Sequence, residues 1–284
     1  MSGSRTNPEA SVIVSTHNAP QCLCMVLMAL RRQTVLPAEV LVADDGSDCT
    51  TLHALARTAP SLPFKLVHIH QPHSDFRLAR ARNNAIHNTG CRFIGFLDQD
   101  TLPHAQWFAT HLSHVGPRRI CTGNMLRLSE QVSGGLTTDS VDSGEFESLH
   151  APAELRNLNA MQRKYALYSV LRRIGLGIKG RPSTSFSNGC ACREDLTRVN
   201  GFDEEYIGWG QEDDDLGWRL YMTGVQPVPV VNKALVSHIF HQPRHGNWRD
   251  GRNIDRYRRP RSSARCSVGL AAHPHPDVTV TRLS

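Results

Sequence analysis

Residues 39–47 read E-V-L-V-A-D-D-G-S. A run of mainly apolar residues, 39–43, passes straight into two carboxylates, a glycine and a serine. Strands covered on both faces read as near-continuous apolar runs, the signature of a parallel sheet. Asp44 and Asp45 can accept hydrogen bonds from a base N–H or ribose hydroxyls, or else Asp44-Asp45-Gly46-Ser47 is a turn with a helix start at Ser47 or Asp48. The pattern recurs on either side. Residues 11–16 read as a strand ending in T-H-N (Thr16, His17, Asn18), and residues 92–97 as a strand ending in D-Q-D (Asp98, Gln99, Asp100). A further strand is predicted at 64–69, and helices at 20–32, 50–57 and 77–88. Alternating strands and helices define an α/β class protein with a mostly parallel central sheet flanked by helices. Such sheets bind ligands beyond the carboxyl ends of their strands, and here the polar residues gather at those ends.

The rest of the chain fits one main domain. Its 284 residues, 39% hydrophobic and 20% charged, suffice for a substantial core. No apolar run is long enough to cross a bilayer. The first ten residues, M-S-G-S-R-T-N-P-E-A, lack the apolar segment of a signal peptide. The expected compartment is the cytoplasm. Eight cysteines form two C-x-C pairs and no C-x-x-C, which predicts reduced, buried thiols rather than disulfides or a zinc ribbon. Residues 131–145 are polar and glycine-rich and read as a mobile loop, and residues 152–174 read as a helix. After 181 the pattern resumes, with strands at 185–193 and 234–240 around a helix at 212–222. The net charge of +6 owes much to an arginine-rich run at 244–265. That run suits phosphates or an anionic membrane surface, or else it is a solvated tail.

Several residue groups carry chemistry. Asp98 and Asp100 at a strand end suit Mg²⁺ or Mn²⁺ held together with phosphate oxygens, although acids there also serve as turn formers. Arg77, Arg80 and Arg82 open a helix, where cations oppose the macrodipole, so a diphosphate nearby would explain Arg77 or Arg82. Residues 207–215, I-G-W-G-Q-E-D-D-D, place a tryptophan between glycines ahead of four acids. Favourable helix-start charge accounts for one or two of those acids. An indole beside a carboxylate pair suits a sugar ring and its hydroxyls, with one carboxylate as general base. His238, His241 and His245 add imidazoles able to bind a cation.

Taken together and in this order, S-V-I-V-S-T-H-N, A-D-D-G-S, F-R-L-A-R-A-R-N, F-L-D-Q-D, N-G-C, G-F-D-E-E-Y, W-G-Q-E-D-D-D and V-S-H-I-F resemble the family 2 glycosyltransferases of the GT-A (Rossmann-like) fold, over residues 11–245. The last third is also similar to the acceptor half of β-1,4-galactosyltransferases and polypeptide N-acetylgalactosaminyltransferases, with Gln211 at the second glycine of their W-G-G-E. The resemblance implies a single GT-A domain over 1–245: a nucleotide-binding half (11–127), a loop and helical insertion (128–180) and a smaller acceptor-side region (181–245). A basic segment follows at 246–284.

By position, the resemblance implies that Thr16, Asp44 and Arg82 contact the nucleotide and that Asp98 touches the ribose or the metal, and Arg77 joins the nucleotide contacts from its place at the helix start. Asp100 would bind Mn²⁺ or Mg²⁺ directly, with His238 the matching late histidine ligand and His241 a second candidate for it, and Trp209 and Glu212 would position the acceptor. Asp213 would be the base of an inverting reaction. The implied activity moves a hexose or N-acetylhexosamine from a UDP-sugar donor to a hydroxyl of a saccharide or glycolipid acceptor, as in surface polysaccharide assembly. Peripheral contact with an anionic membrane through the basic segment is a further expectation; nucleic acid is not an expected partner. Two rivals stand beside it. A sugar-1-phosphate nucleotidyltransferase would want a glycine-rich loop after strand one, where S-T-H-N-A-P has none. A non-catalytic binder of anionic surfaces would rest on the basic segment alone.

Overall fold

The computed structural model describes residues 5–176, 184–242 and 252–284. Its first half alternates strand and helix: β1 (Arg5–Thr16), α1 (Pro20–Arg31), β2 (Val35–Asp44), α2 (Cys49–Thr58), β3 (Lys65–His70), α3 (Leu78–Asn88) and β4 (Phe93–Asp98). There follow β5 (Thr101–Pro103), α4 (Trp107–His114), β6 (Arg119–Thr122), β7 (Leu126–Arg127), α5 (Glu130–Gly134), α6 (Thr138–Ser143) and α7 (Pro152–Arg173). The second half contributes β8 (Asn188–Cys192), α8 (Arg193–Arg198), α9 (Glu212–Met222), β9 (Gln226–Pro229), β10 (Val236–His238), α10 (Ile254–Arg258) and β11 (Thr279–Arg282).

Eight strands form one sheet in the order β11-β3-β2-β1-β4-β8-β6-β9, with parallel pairing from β3 through β4 and between β6 and β9. The apolar runs explain why. Along β1, Val12 and Val14 pack with Leu23, Val26 and Leu30 of α1 on one face. Ile13 packs with Ala79, Ala85 and Ile86 of α3 on the other. Side chains alternate across a strand, so a run without polar gaps feeds two cores at once. Pro20 opens α1 where its missing N–H costs nothing, and the Asp48 side chain caps α2 through Thr50 N at 2.9 Å.

Two stretches depart from expectation. Residues 131–145 are folded as α5 and α6. The Ser129 hydroxyl caps the first, and a reciprocal Thr137–Ser140 capping box starts the second. Val141 and the following Phe146 are fully buried, and Arg31–Asp142 and Arg32–Glu147 ion pairs at 2.6 Å fasten the segment to the body. Caps and two apolar anchors outweigh the polar composition. The C-terminal end of the basic segment is likewise built in: β11 pairs antiparallel with β3 and covers the sheet edge. The part of the basic run at 244–251, with His245, lies outside the described residues. All eight cysteines are free; five are buried as expected, and burial pushes Cys121 up to about 12, but Cys22 and Cys24 are half-buried and Cys49 is exposed. Among the described residues no helix is long and apolar enough to cross a membrane.

Candidate active site

A second, three-stranded sheet, β5-β10-β7, stands at the carboxyl edge of the large one. In it His238 pairs with Thr101 on one side and Arg127 on the other, and Ile239 N donates to Asp100 O at 2.9 Å. Backbone pairing thus brings the late histidine to the early aspartate, 138 positions away in sequence. His238 Nε2 lies 3.8 Å from Asp100 Oδ1, and His241 Nε2 lies 3.4 Å from Asp100 Oδ2. One ligand atom from each of the three falls within 4.8 Å of the others. Burial, with help from His241, pushes His238 down to about 4, so its imidazole is neutral at pH 7 with a lone pair available. One carboxylate and two imidazoles fit a divalent cation, and the imidazoles favour Mn²⁺ over Mg²⁺.

These residues line a cleft of about 560 Å³. Thr16, His17, Asp45, Phe76, Gln99 and Met125 line the same cleft, as do Trp209, Glu212 and Asp213. The turn before α9 explains that placement. Gly208 (φ 84°), Gly210 (φ 100°) and Gln211 (φ 71°) all adopt left-handed backbone. Glycine takes this conformation without a Cβ clash, so the G-W-G can throw the half-exposed Trp209 into the cleft mouth.

The four acids that follow go to four places. Glu212 enters the cleft, and its buried Oε2 has no hydrogen-bond partner among the described residues. Burial, reinforced by the neighbouring Asp213 charge, pushes Glu212 up to about 7. Asp213 Oδ1 accepts from Arg82 Nη1 at 2.7 Å, and its Oδ2 accepts from Phe186 N at 2.8 Å. Asp214 receives Thr184 N at 3.2 Å. Asp215 is fully buried between Arg219 (2.7 Å) and Arg261 (2.6 Å). Only the first two of these acids line the cleft.

Arg82 is the hub of this side. Only 1% exposed, it spans Asp213 and Asp98 (2.9 Å) and donates to Ser15 Oγ at 3.0 Å. Burial opposes its charge, yet the two carboxylates raise its pKa above the ordinary value. Asp98 is lifted to about 6, chiefly by burial and also by Asp100 and Asp213, although Arg82 pulls the other way.

Thr16, Arg82, Asp98, Asp100, Trp209, Glu212, Asp213, His238 and His241 therefore share one cleft. Asp44 and Arg77 do not line it. Asp44 is fully buried beneath, bonded to Ser47 N (2.8 Å) and His68 Nε2 (2.7 Å). Burial would raise its carboxyl, but those bonds hold it below its ordinary value. Its neighbour Asp45 faces the cleft, braced by Gln71 Nε2 at 2.6 Å and Arg77 N at 2.7 Å. Arg77 thus contributes a backbone N–H, and its guanidinium bonds Pro72 O. Strand alternation carries the signal: with Asp44 paired inward to His68, the next side chain points the other way. Gln99 was also silent in sequence; its Oε1 accepts from Thr16 Oγ1 (2.8 Å) and His17 N (2.7 Å), tying two strand ends together.

The fold is of the GT-A class, the architecture of the glycosyltransferases on which the chain superposes. Residues 11–139 match the family model described as glycosyl transferase family 2, and residues 184–242 match that of the N-terminal domain of galactosyltransferase. Among named relatives, validoxylamine A glucosyltransferase of Streptomyces hygroscopicus is 28% identical over 259 residues, covering 84% of this chain and 53% of that one. The chain thus spans about half that relative's length. Among solved structures, the mannosyltransferase PcManGT of Pyrobaculum calidifontis, in complex with GDP-Man and Mn²⁺, superposes with TM-score 0.56 at 18% identity, covering 85% of this chain and 59% of that one. TarS 1-349 of S. aureus in complex with UDP-GlcNAc gives 0.53 at 16% identity, covering 84% and 60%. Residues 11–139 thus carry the family 2 glycosyltransferase pattern, and residues 184–242 a galactosyltransferase-like one.

Proposed function

We propose that this protein transfers a hexose or N-acetylhexosamine from a UDP-sugar to a saccharide or glycolipid hydroxyl, with inversion and with the help of Mn²⁺ or Mg²⁺. The observation that carries this reading is the shared cleft, lined by Asp100, His238 and His241 together with Glu212 and Asp213. Asp100, His238 and His241 would hold the cation, which when bound offsets the charge of the leaving diphosphate. Asp45, with Thr16 and His17 at the same strand ends, forms the polar floor on which the nucleoside would rest. Trp209 offers a ring face for the acceptor sugar. Asp213 takes the acceptor proton, its carboxylate aimed by Arg82 and Phe186 N.

Glu212 offers a second reading of the base, favoured by a carboxyl poised near 7 with one bare oxygen. A panel of UDP-sugars with simple glycoside acceptors, assayed for transfer, tests both. Asp213→Asn is expected to lose about 10²–10⁴-fold in kcat while keeping UDP affinity. Glu212→Gln is expected mainly to raise the acceptor KM. The reverse pattern reassigns the base to Glu212, and no transfer by the wild type from any donor removes the reading.

A further inference from the structure

A second cluster with the same ligand chemistry lies outside the cleft. Glu204, in the G-F-D-E-E-Y loop ahead of α9, meets His273 and His275 of the C-terminal segment. Its Oε1 lies 2.6 Å from His273 Nε2 and its Oε2 lies 3.3 Å from His275 Nε2. Each carboxylate oxygen thus faces one imidazole nitrogen. The two rings are 4.3 Å apart and inclined at 72°, so their nitrogens converge without stacking. The side chains of His273 and Glu204 are 0% and 5% exposed, while His275 keeps 21%, a route by which an ion and a water could enter. Asn83 Nδ2 donates to Glu204 Oε1 at 2.8 Å and fixes the carboxylate from behind. A third imidazole, His87, has its ring centre 5.9 Å from that of His273. The nearest cation, Arg80, is matched by Asp277 at 2.5 Å.

We propose that Glu204, His273 and His275 form a second divalent-cation site, of Zn²⁺ type, which fastens the C-terminal segment to the acceptor side of the domain. Two imidazoles and a carboxylate are a familiar Zn²⁺ donor set, with water as the fourth ligand. Bond lengths of 2.0–2.2 Å at a tetrahedral centre put ligand atoms about 3.3 Å apart, so His273 need withdraw by less than about 1 Å to admit the ion. Ordered partners behind the ligands, of the kind Asn83 supplies, orient such sites. A bare ion pair would also hold the segment, but it needs only one of the two histidines. Placing both on one carboxylate, two positions apart in H-P-H, is what a cation requires.

The test uses the full chain carrying Asp100→Ala and His238→Ala, which removes the cleft cluster. After dialysis against Zn²⁺ and desalting, this chain is expected to retain one Zn²⁺, and Co²⁺ in its place should give the visible absorption of a four-coordinate site. Adding His275→Ala should weaken Zn²⁺ binding by at least about 100-fold, the upper end of the loss seen for weaker outer-shell changes, and abolish both the colour and the Zn²⁺-induced rise in melting temperature. His275→Gln gives the same answer should the alanine variant fold poorly. Were the background itself unstable, Zn²⁺ content should fall from two per chain to one on introducing His275→Ala alone. Zn²⁺ absent from the background chain, or equally retained with and without His275, overturns the proposal.

Discussion

Arg82 concentrates the electrostatics of the site in a single side chain. Its fully buried guanidinium spans Asp98 and Asp213, two carboxylates that line the cleft. Breaking a buried pair by deleting one partner typically costs about 3–5 kcal/mol, because charge is left without compensation. Arg82→Ala should therefore lower the urea unfolding free energy by about that much; a loss under about 1 kcal/mol would mean that water already screens the triad. Glu212 makes a different prediction. Its folded carboxyl sits near 7 against an ordinary 4.5, so the folded state binds the extra proton between those values. Stability then falls as pH rises from about 4.5 to 7, by an amount on the order of 3 kcal/mol, since one pKa unit is about 1.4 kcal/mol. Glu212→Gln should flatten that part of the curve. An unchanged slope would assign it to other groups, Asp98 among them.

The first turn of α9 shows how far sequence reading reaches at the scale of an element. W-G-Q-E-D-D-D announced a functional turn, and the glycines there do take left-handed backbone. Yet the acids divide by helical geometry, which a string of letters does not display. Residues 212 and 213 face the cleft, while Asp215 faces the interior and neutralises Arg219 and Arg261. Asp215→Asn should be strongly destabilising, by about 3 kcal/mol or more, because it leaves the fully buried Arg219 without its carboxylate. Thermal unfolding checks this, and a melting temperature within a degree or two of wild type would contradict it. The aspartates of β2 teach the same lesson: D-D-G-S marked the correct strand end, but period-two alternation put Asp45, not Asp44, at the cleft. The carboxyl ends of the strands were legible because apolar runs lead into them, whereas β1 and β2 begin earlier than expected, at Arg5 and Val35, in stretches without an unbroken apolar run. The folding of 131–145 was not legible, since its anchors, Val141 and Phe146, are single apolar residues in a polar stretch.

At the scale of the whole molecule, two long-range pairings create the cleft and its frame. The three-stranded sheet carries His238 to Asp100, and β11 closes the far edge of the large sheet against β3. Order of motifs along the chain foretold the first convergence. Nothing in T-V-T-R foretold the second, because a four-residue edge strand has too little pattern to stand out. Arg256 and Arg261, read as part of a basic tail, instead ion-pair with Asp203, Glu205 and Asp215, which leaves less free charge for an anionic surface. The central claim is that the first convergence builds a cation-dependent nucleotide site. Calorimetric titration of UDP into the wild type and Asp100→Ala, each with and without Mn²⁺, tests it most directly. Mn²⁺ should tighten UDP binding by at least about tenfold, some 1.4 kcal/mol, in the wild type and not in the variant. Equal tightening in both, or none in the wild type, would contradict the account.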